Sequence, residues 1–358
     1  MGLKLADVAR QLPNIAERVR EEQTARSTQL LRVTGHIREN RSSFLSHNAP
    51  PCPADYTVIA TDGSQIDVDR HESTGCYLIN VGWAIISYGH ERKASLDKRA
   101  DVRLAEERSV DDQDNDEEYQ EVRDRLNIGL ARSLSEFQGL GQLVAKRERG
   151  RFCLAMVDGP LVLWGAAGAS SQNKKGQRYY DGIVEAMENI RRCALDGPLA
   201  LIGYTSYPGY RDVVKKLPVI EKDLLLDRHL FENVLAPGER STPIKVDRSW
   251  GPEHEMHFFY VKTRDEIARI ELPGWVAEDH ELLGLAHAAI LDQCARGQGY
   301  PVALQEAHEQ AAVTAADRET FQSMVDSALR KRARQSDGPS TILRTSSAKS
   351  RSKRTRWL

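Results

Sequence analysis

The chain has 358 residues, 40% hydrophobic and 28% charged, with a formal net charge of −2. That length is great for one core and short for three, so one large α/β domain with additions, or two tightly joined domains, is expected; no apolar run approaches the roughly 20 residues of a membrane-spanning helix. The near-neutral total hides an asymmetry: residues 330–358 hold ten Lys or Arg against Asp337 alone, a local +9 that leaves −11 on residues 1–329, so any polyanion would need a local basic lining, metal ions or the tail.

The chain opens with MGLKLADVARQLPNIAERVREEQ, in which apolar residues are interspersed with charges, the pattern of an amphipathic helix and not of a secretory signal. Cys52, Cys76, Cys153, Cys193 and Cys294 are odd in number and scattered, with no CxxC pair. They read as reduced thiols in a cytoplasmic protein that crosses no membrane. Residues 1–50 form an expected N-terminal helical extension, set off by Pro50, Pro51 and Pro53.

YTVIATDGS then reads as a β-branched strand ending at an acidic turn, and CYLINVGWAIISYG (76–89) as two strands or a hairpin. The charged stretch 91–116 has no regular apolar face and reads as a partly mobile insertion; DDQDNDEEYQE (111–121) alone holds seven carboxylates. Apolar residues at three-to-four spacing predict a long helix over 117–146, with weak points at Gly129, Gly139 and Gly141. RFCLAMVDGP is a second core strand running into an acidic turn.

A Gly/Ser/Lys loop at 165–178, a helix at 181–193, the strand LALIGYTS (199–206) and a helix after the Gly209 turn follow. HEMHFFYVKT (254–263) and EIARIELP (266–273) are further strands, and helices are expected at 279–296 and 306–330. The alternation favours an α/β fold with a mostly parallel or mixed sheet over 51–330. The tail, 331–358, has too few apolar residues to pack and reads as disordered.

VIATDGSQI and CLAMVDGPLVLW each deliver an aspartate, Asp62 and Asp158, at the end of an apolar run, followed by glycine. A lone Asp-Gly after a strand is ordinarily just a turn. If the two strands are neighbours, however, their carboxylates converge, and a divalent cation is the common way of keeping both ionised. That arrangement serves phosphodiester hydrolysis, and oxygen ligands favour Mg²⁺ or Mn²⁺, with a histidine tilting the choice toward Mn²⁺.

Further along, Glu306 at the expected head of a helix is explained by the helix dipole alone. His308 beside Glu309 reads as a ligand, a water-positioning base or a surface residue. Lys174, Lys175, Arg178, Arg211, Lys215, Lys216 and Arg240 are candidate phosphate contacts, each with a solvated surface as its alternative. Tyr179, Tyr180, Tyr204, Tyr207 and Tyr210 lie close to these bases and read either as stacking platforms or as core-edge residues. No GxxxxGK[ST] loop is present, which leaves an unrelated phosphotransfer enzyme as the weakest reading and makes a motor role unexpected.

TDGSQI (61–66), VDGPL (157–161), FENVLAPGERS (231–241), HFFYVKT followed by IARIELPGWVA (267–277), and GYPVALQEAHEQA (299–311) together resemble the NurA nuclease family over about residues 55–325. The resemblance implies a ribonuclease H-like fold, a homodimer with a central channel, and Mn²⁺-dependent (or Mg²⁺-dependent) cleavage of DNA ends and single strands. It also implies a hexameric HerA-type ATPase as partner. Asp62 and Asp158 match the family's metal-binding aspartates, His308 falls in its terminal histidine block, and Glu271 and Lys215 lie in matching segments, with Lys215 a candidate phosphate contact in catalysis. The family's helix glutamate, about a turn after an arginine, is missing if counted from Arg125, where Gly129 stands; Glu136 or Glu121 would have to substitute. Two functions follow: a DNA-hydrolysing enzyme with its metal on Asp62, Asp158, Glu136 and His308, or a weakened relative that binds DNA and the ATPase without cleaving.

Overall fold

The computed structural model describes residues 5–39, 46–67, 76–90, 92–104, 117–162, 174–217, 225–247 and 255–335. In chain order the described elements are α1 (Leu5–Glu39), β1 (Ser46–Asn48), β2 (Tyr56–Ile66), β3 (Cys76–Tyr88), β4 (Lys93–Leu104), α2 (Glu117–Val144), β5 (Phe152–Asp158), α3 (Lys174–Ala194) and β6 (Leu199–Thr205). After a 3₁₀ turn at Val214–Lys216 come α4 (Asp227–Val234), β7 (Glu239–Ser241), β8 (Ile244–Lys245), β9 (Met256–Lys262), β10 (Ile267–Pro273), a single helical turn at Gly274–Ala277, α5 (His280–Arg296), α6 (Val302–Ala311) and α7 (Ala315–Gln335). The chain divides into two compact units.

The first unit comprises Met1–Pro53, Gly159–Leu161 and Ile202–Pro301. Its strands run in the order β1-β7-β9-β10, with β10 antiparallel to the later residues of β6 through the register Arg269↔Thr205 to Glu271↔Gly203. Every residue of β10 is buried, which is why IARIELP shows no two-residue alternation. Asp279 caps α5 by accepting from the backbone N–H groups of Glu281 and Leu282.

The second unit comprises Ala54–Asp158, Val162–Leu201 and Val302–Leu358. Here β5, β2, β3 and β4 lie side by side. The β2–β5 pairing is parallel, from Tyr56↔Phe152 to Thr61↔Val157, while β2–β3 and β3–β4 are antiparallel, so the sheet is mixed. Buried from Tyr56 to Thr61, β2 is a central strand between two partners, as its continuous apolar run requires. Helices α2 and α3 pack together, and α6 packs on β2 and β3.

Several sequence expectations change. Residues 76–88 form one strand and not a hairpin. Residues 93–104 of the charged insertion form β4, exposed along nearly its whole length, with Lys93, Lys98, Arg99 and Arg103 on it; such charges protect an edge strand from further pairing. The remainder, 91 and 105–116, lies outside the described residues, as does the tail from 336. Helix α3 begins at Lys174, so Lys174, Lys175 and Arg178 are helical and not in a loop. In place of the helix expected after Gly209, the described residues up to 217 hold a 3₁₀ turn. The helix expected at 306–330 is two helices. Residues 312–314 separate them, and Thr314 and Asp317 exchange hydrogen bonds as a capping box that starts α7. No described helix is long and apolar enough to cross a membrane.

Candidate active site

Because Thr61 lies opposite Val157 in the parallel pair, Asp62 and Asp158 occupy the next position on neighbouring strands. The convergence anticipated from the paired Asp-Gly runs therefore rests on strand register. Asp62 is not in a turn, however. Strand β2 continues to Ile66 because β3 pairs with it throughout, and the backbone N–H of Gly63 donates to Asp62 Oδ1 at 2.8 Å.

The two glycines do different work. Gly159 has φ +95°, a left-handed backbone that makes the turn after Asp158. Gly63 is needed for space: a Cβ there would lie 2.3 Å from Glu136 Oε1 and 2.8 Å from Arg132 Cγ. The missing side chain thus lets α2 lay a carboxylate against β2 directly beside Asp62. Thr61 fastens the same place by donating its hydroxyl to the Glu136 carbonyl at 3.3 Å.

Glu136 is one turn after Arg132, and the two form an ion pair at 3.2 Å with the glutamate side chain only 10% exposed. Burial drives its pKa up to about 7; Arg132 pulls it down, and the charges of Asp62 and Asp158 push it further up. The arginine-then-glutamate spacing sought at Arg125 and Gly129 is therefore supplied one heptad later. A Cβ on Gly129 would meet no atom within 4 Å, and the side chains of Glu121 and Arg125 lie outside the described residues.

His308 arrives from the far end of the sequence. Its Nδ1 is 2.8 Å from Asp62 Oδ2; the histidine side chain is 65% exposed and the aspartate 15%. An ionised carboxylate only accepts, so Nδ1 is the donor in this contact, and Nε2 is the ring nitrogen it leaves unused. Gly82, opposite Asp62 on β3, allows this approach: a Cβ there would lie 2.4 Å from Ala311 N and 2.5 Å from Ala307 O. The backbone of α6 consequently rests on the strand. Asn80 Nδ2 donates to the carbonyls of Gln310 at 3.2 Å and Ala311 at 2.8 Å, and Ser64 Oγ also donates to Ala311 O. Sequence reading passed over Gly82, Asn80, Ser64 and Arg132, although a glycine inside an apolar strand run is a known sign of close backbone approach. Helix α6 starts at Val302, which puts Glu306 in its second turn and not at its head.

The site thus gathers three carboxylates and an imidazole, a donor set whose chemistry suits Mg²⁺ or Mn²⁺. Asp62 is engaged with His308, and Glu136 with Arg132. Among the described residues no group of three or more His, Cys, Asp or Glu closes into a metal-holding cluster.

The other candidates are distributed as follows. In the second unit Arg178 is exposed, while Tyr179 packs against the core residues Tyr77, Ile79, Val81, Ile128 and Ala131. In the first unit Lys215 and Lys216 are exposed on the 3₁₀ turn, and Lys216 pairs with Asp247 at 3.0 Å. Arg211 donates to the Leu225 carbonyl at 2.9 Å. Arg240 is buried, bonds the Ser241 carbonyl at 3.0 Å, and has its pKa lowered to about 10 by that burial, so it is not a surface base. Glu271 is fully buried on Arg269, a structural ion pair by its surroundings. Tyr204 is buried and Tyr207 exposed.

A family model described as the NurA domain matches residues 56–313. The crystal structure of the NurA nuclease from Sulfolobus solfataricus is 16% identical with a TM-score of 0.52, the match covering 92% of this chain and 96% of that one. A second crystal structure of NurA is 13% identical with a TM-score of 0.49, covering 90% of this chain and 97% of that one. No curated protein sequence matches.

Proposed function

We propose a function from one premise: this chain belongs to the NurA family and has a ribonuclease H-like mixed α/β fold with an N-terminal helix. It acts in DNA processing as a subunit that binds DNA ends and single strands, with its hydrolytic centre weakened in the arrangement described. The observation that carries this reading is that two acids which would hold a metal ion, Glu136 and Asp62, are already met by the protein's own groups, Arg132 and His308. Its partners are a second copy of the chain and a hexameric HerA-type ATPase, as the family resemblance implies.

A second reading, a metal-dependent deoxyribonuclease, is favoured by the meeting of Asp62, Asp158, Glu136 and His308 at one sheet end. Asp62, Asp158 and Glu136 would hold Mn²⁺ or Mg²⁺, which when bound supplies an activated water and charge stabilisation at the phosphate. Arg132 holds Glu136 in place, and Asp62 fixes the His308 tautomer so that Nε2 is available to orient water. Lys215 is the candidate phosphate contact.

The deciding test is cleavage of end-labelled single- and double-stranded DNA with Mn²⁺ or Mg²⁺ by wild type and Asp62→Ala, alone and with the cognate HerA-type ATPase. The weakened-subunit reading expects both proteins to bind DNA and neither to cleave above background. Metal-dependent cleavage that disappears in folded Asp62→Ala establishes the nuclease instead.

A further inference from the structure

Tyr207 combines features that ordinary turn formation does not explain. It has φ +46°, a left-handed backbone that a non-glycine residue adopts at a cost. Glycine would suit that position better, and what the tyrosine adds is its ring, which is 68% exposed. The backbone around it is clamped from both sides. Glu266 accepts from the Tyr207 N–H at 3.0 Å, from Ser206 Oγ at 2.6 Å and from the Tyr204 hydroxyl at 2.8 Å. Arg228 donates to the carbonyls of Tyr207 at 3.3 Å and Pro208 at 3.0 Å. The same guanidinium lies over the Tyr207 ring, 3.9 Å from its centroid.

We propose that Tyr207, backed by Arg228, is a stacking platform for an unpaired base of single-stranded DNA. An aromatic ring held rigidly in solvent, with a cation on one face, offers its other face to a flat π-system, and every base has one. The three donors on Glu266 occupy its carboxylate and reduce its repulsion of a nearby strand. Arg228 supplies a positive charge where a phosphate would follow the stacked base. A protein partner would be met by a broader apolar surface, whereas here one aromatic ring stands beside one guanidinium. The inference rests on the reading that the chain binds DNA, and adds to it the part of the strand recognised: the base, in a single strand.

The test uses the full chain and two labelled probes of equal length, an oligothymidylate and its abasic counterpart, read by fluorescence anisotropy. Tyr207→Ala and Tyr207→Gly are expected to weaken oligothymidylate binding about five- to hundredfold, and Tyr207→Trp to preserve it. All four proteins should bind the abasic strand alike. Tyr207→Gly, which the left-handed backbone accepts, should not lower the melting temperature, so its loss of affinity cannot be blamed on misfolding. Wild-type affinity for oligothymidylate in Tyr207→Gly, or an equal loss on the abasic strand, overturns the platform while leaving DNA binding standing. Failure of the wild type to bind either probe overturns DNA binding itself and the platform with it.

Discussion

Two clusters of charge, one in each unit, are built from similar side chains to opposite effect. In the first unit Arg269 is fully buried between the rings of Tyr210, 4.1 Å away, and Phe258, 3.8 Å away, and binds Glu271 at 3.0 Å and Asp212 at 2.8 Å. Nearby, Asp227 accepts from the backbone of Val213 and Val214 and from the Tyr260 hydroxyl. In the second unit Asp62 on β2, Glu136 on α2 and Asp158 at the end of β5 meet, Asp158 and His308 exposed and Arg132 the facing guanidinium. In the first cluster Arg269 and Glu271 are fully buried against each other, whereas the second keeps Asp158 and His308 exposed to solvent. Buried, paired charge is architecture, whereas carboxylates brought together beside an exposed histidine are the kind of arrangement that functional sites use.

The comparison breaks most visibly at Arg269. Arg269→Leu should leave Glu271 buried without its cation and cost about 3–5 kcal/mol, read as a lowered denaturant midpoint; an unchanged midpoint would remove the architectural reading of that cluster. A smaller effect is expected where the open cluster is assembled. Gly82→Ala should push α6 away from β3 at a cost of about 1–3 kcal/mol, and the His308 ring resonances should then lose their dependence on Asp62, seen by comparing spectra with and without Asp62→Asn. Persistence of the His308–Asp62 coupling would show that the strand tolerates the methyl group. The least effect, and the one of opposite sign, belongs to Glu136. In metal-free protein Glu136→Gln removes a buried charge beside two aspartates and should stabilise by about 0.5–2 kcal/mol. Destabilisation on the scale of Arg269→Leu would instead make Glu136–Arg132 a structural ion pair and erase the contrast.

What was legible in the sequence follows the same division. The central strands β2 and β5 could be read because strands buried on both faces have to be continuously apolar, and the aspartates closing those runs marked the site. Strand β4 could not, since an edge strand exposed on both sides carries no alternation. The two Asp-Gly pairs looked alike in letters. Only the fold separates Gly159, chosen for its dihedral angle, from Gly63, chosen for the room it leaves. The sequence leaves Glu136 and Glu121 both open as substitutes for the helix glutamate expected at Gly129, for a related reason: two turns bring a residue back to nearly the same side of a helix, so periodicity gives the face without the level. Gly63 fixes the level by leaving the room that the Glu136 carboxylate occupies.

The seating of α6 on Gly82 has a consequence for the order in which the molecule is made. Asp62, Glu136 and Asp158 are all synthesised before the imidazole that meets Asp62, which follows that aspartate by 246 positions. A chain still growing, or broken off before Val302, therefore carries its acids without His308 and with Gly82 uncovered. The contact between Asp62 and His308 therefore forms only once α6 has been synthesised, whichever of the two functions the finished chain performs.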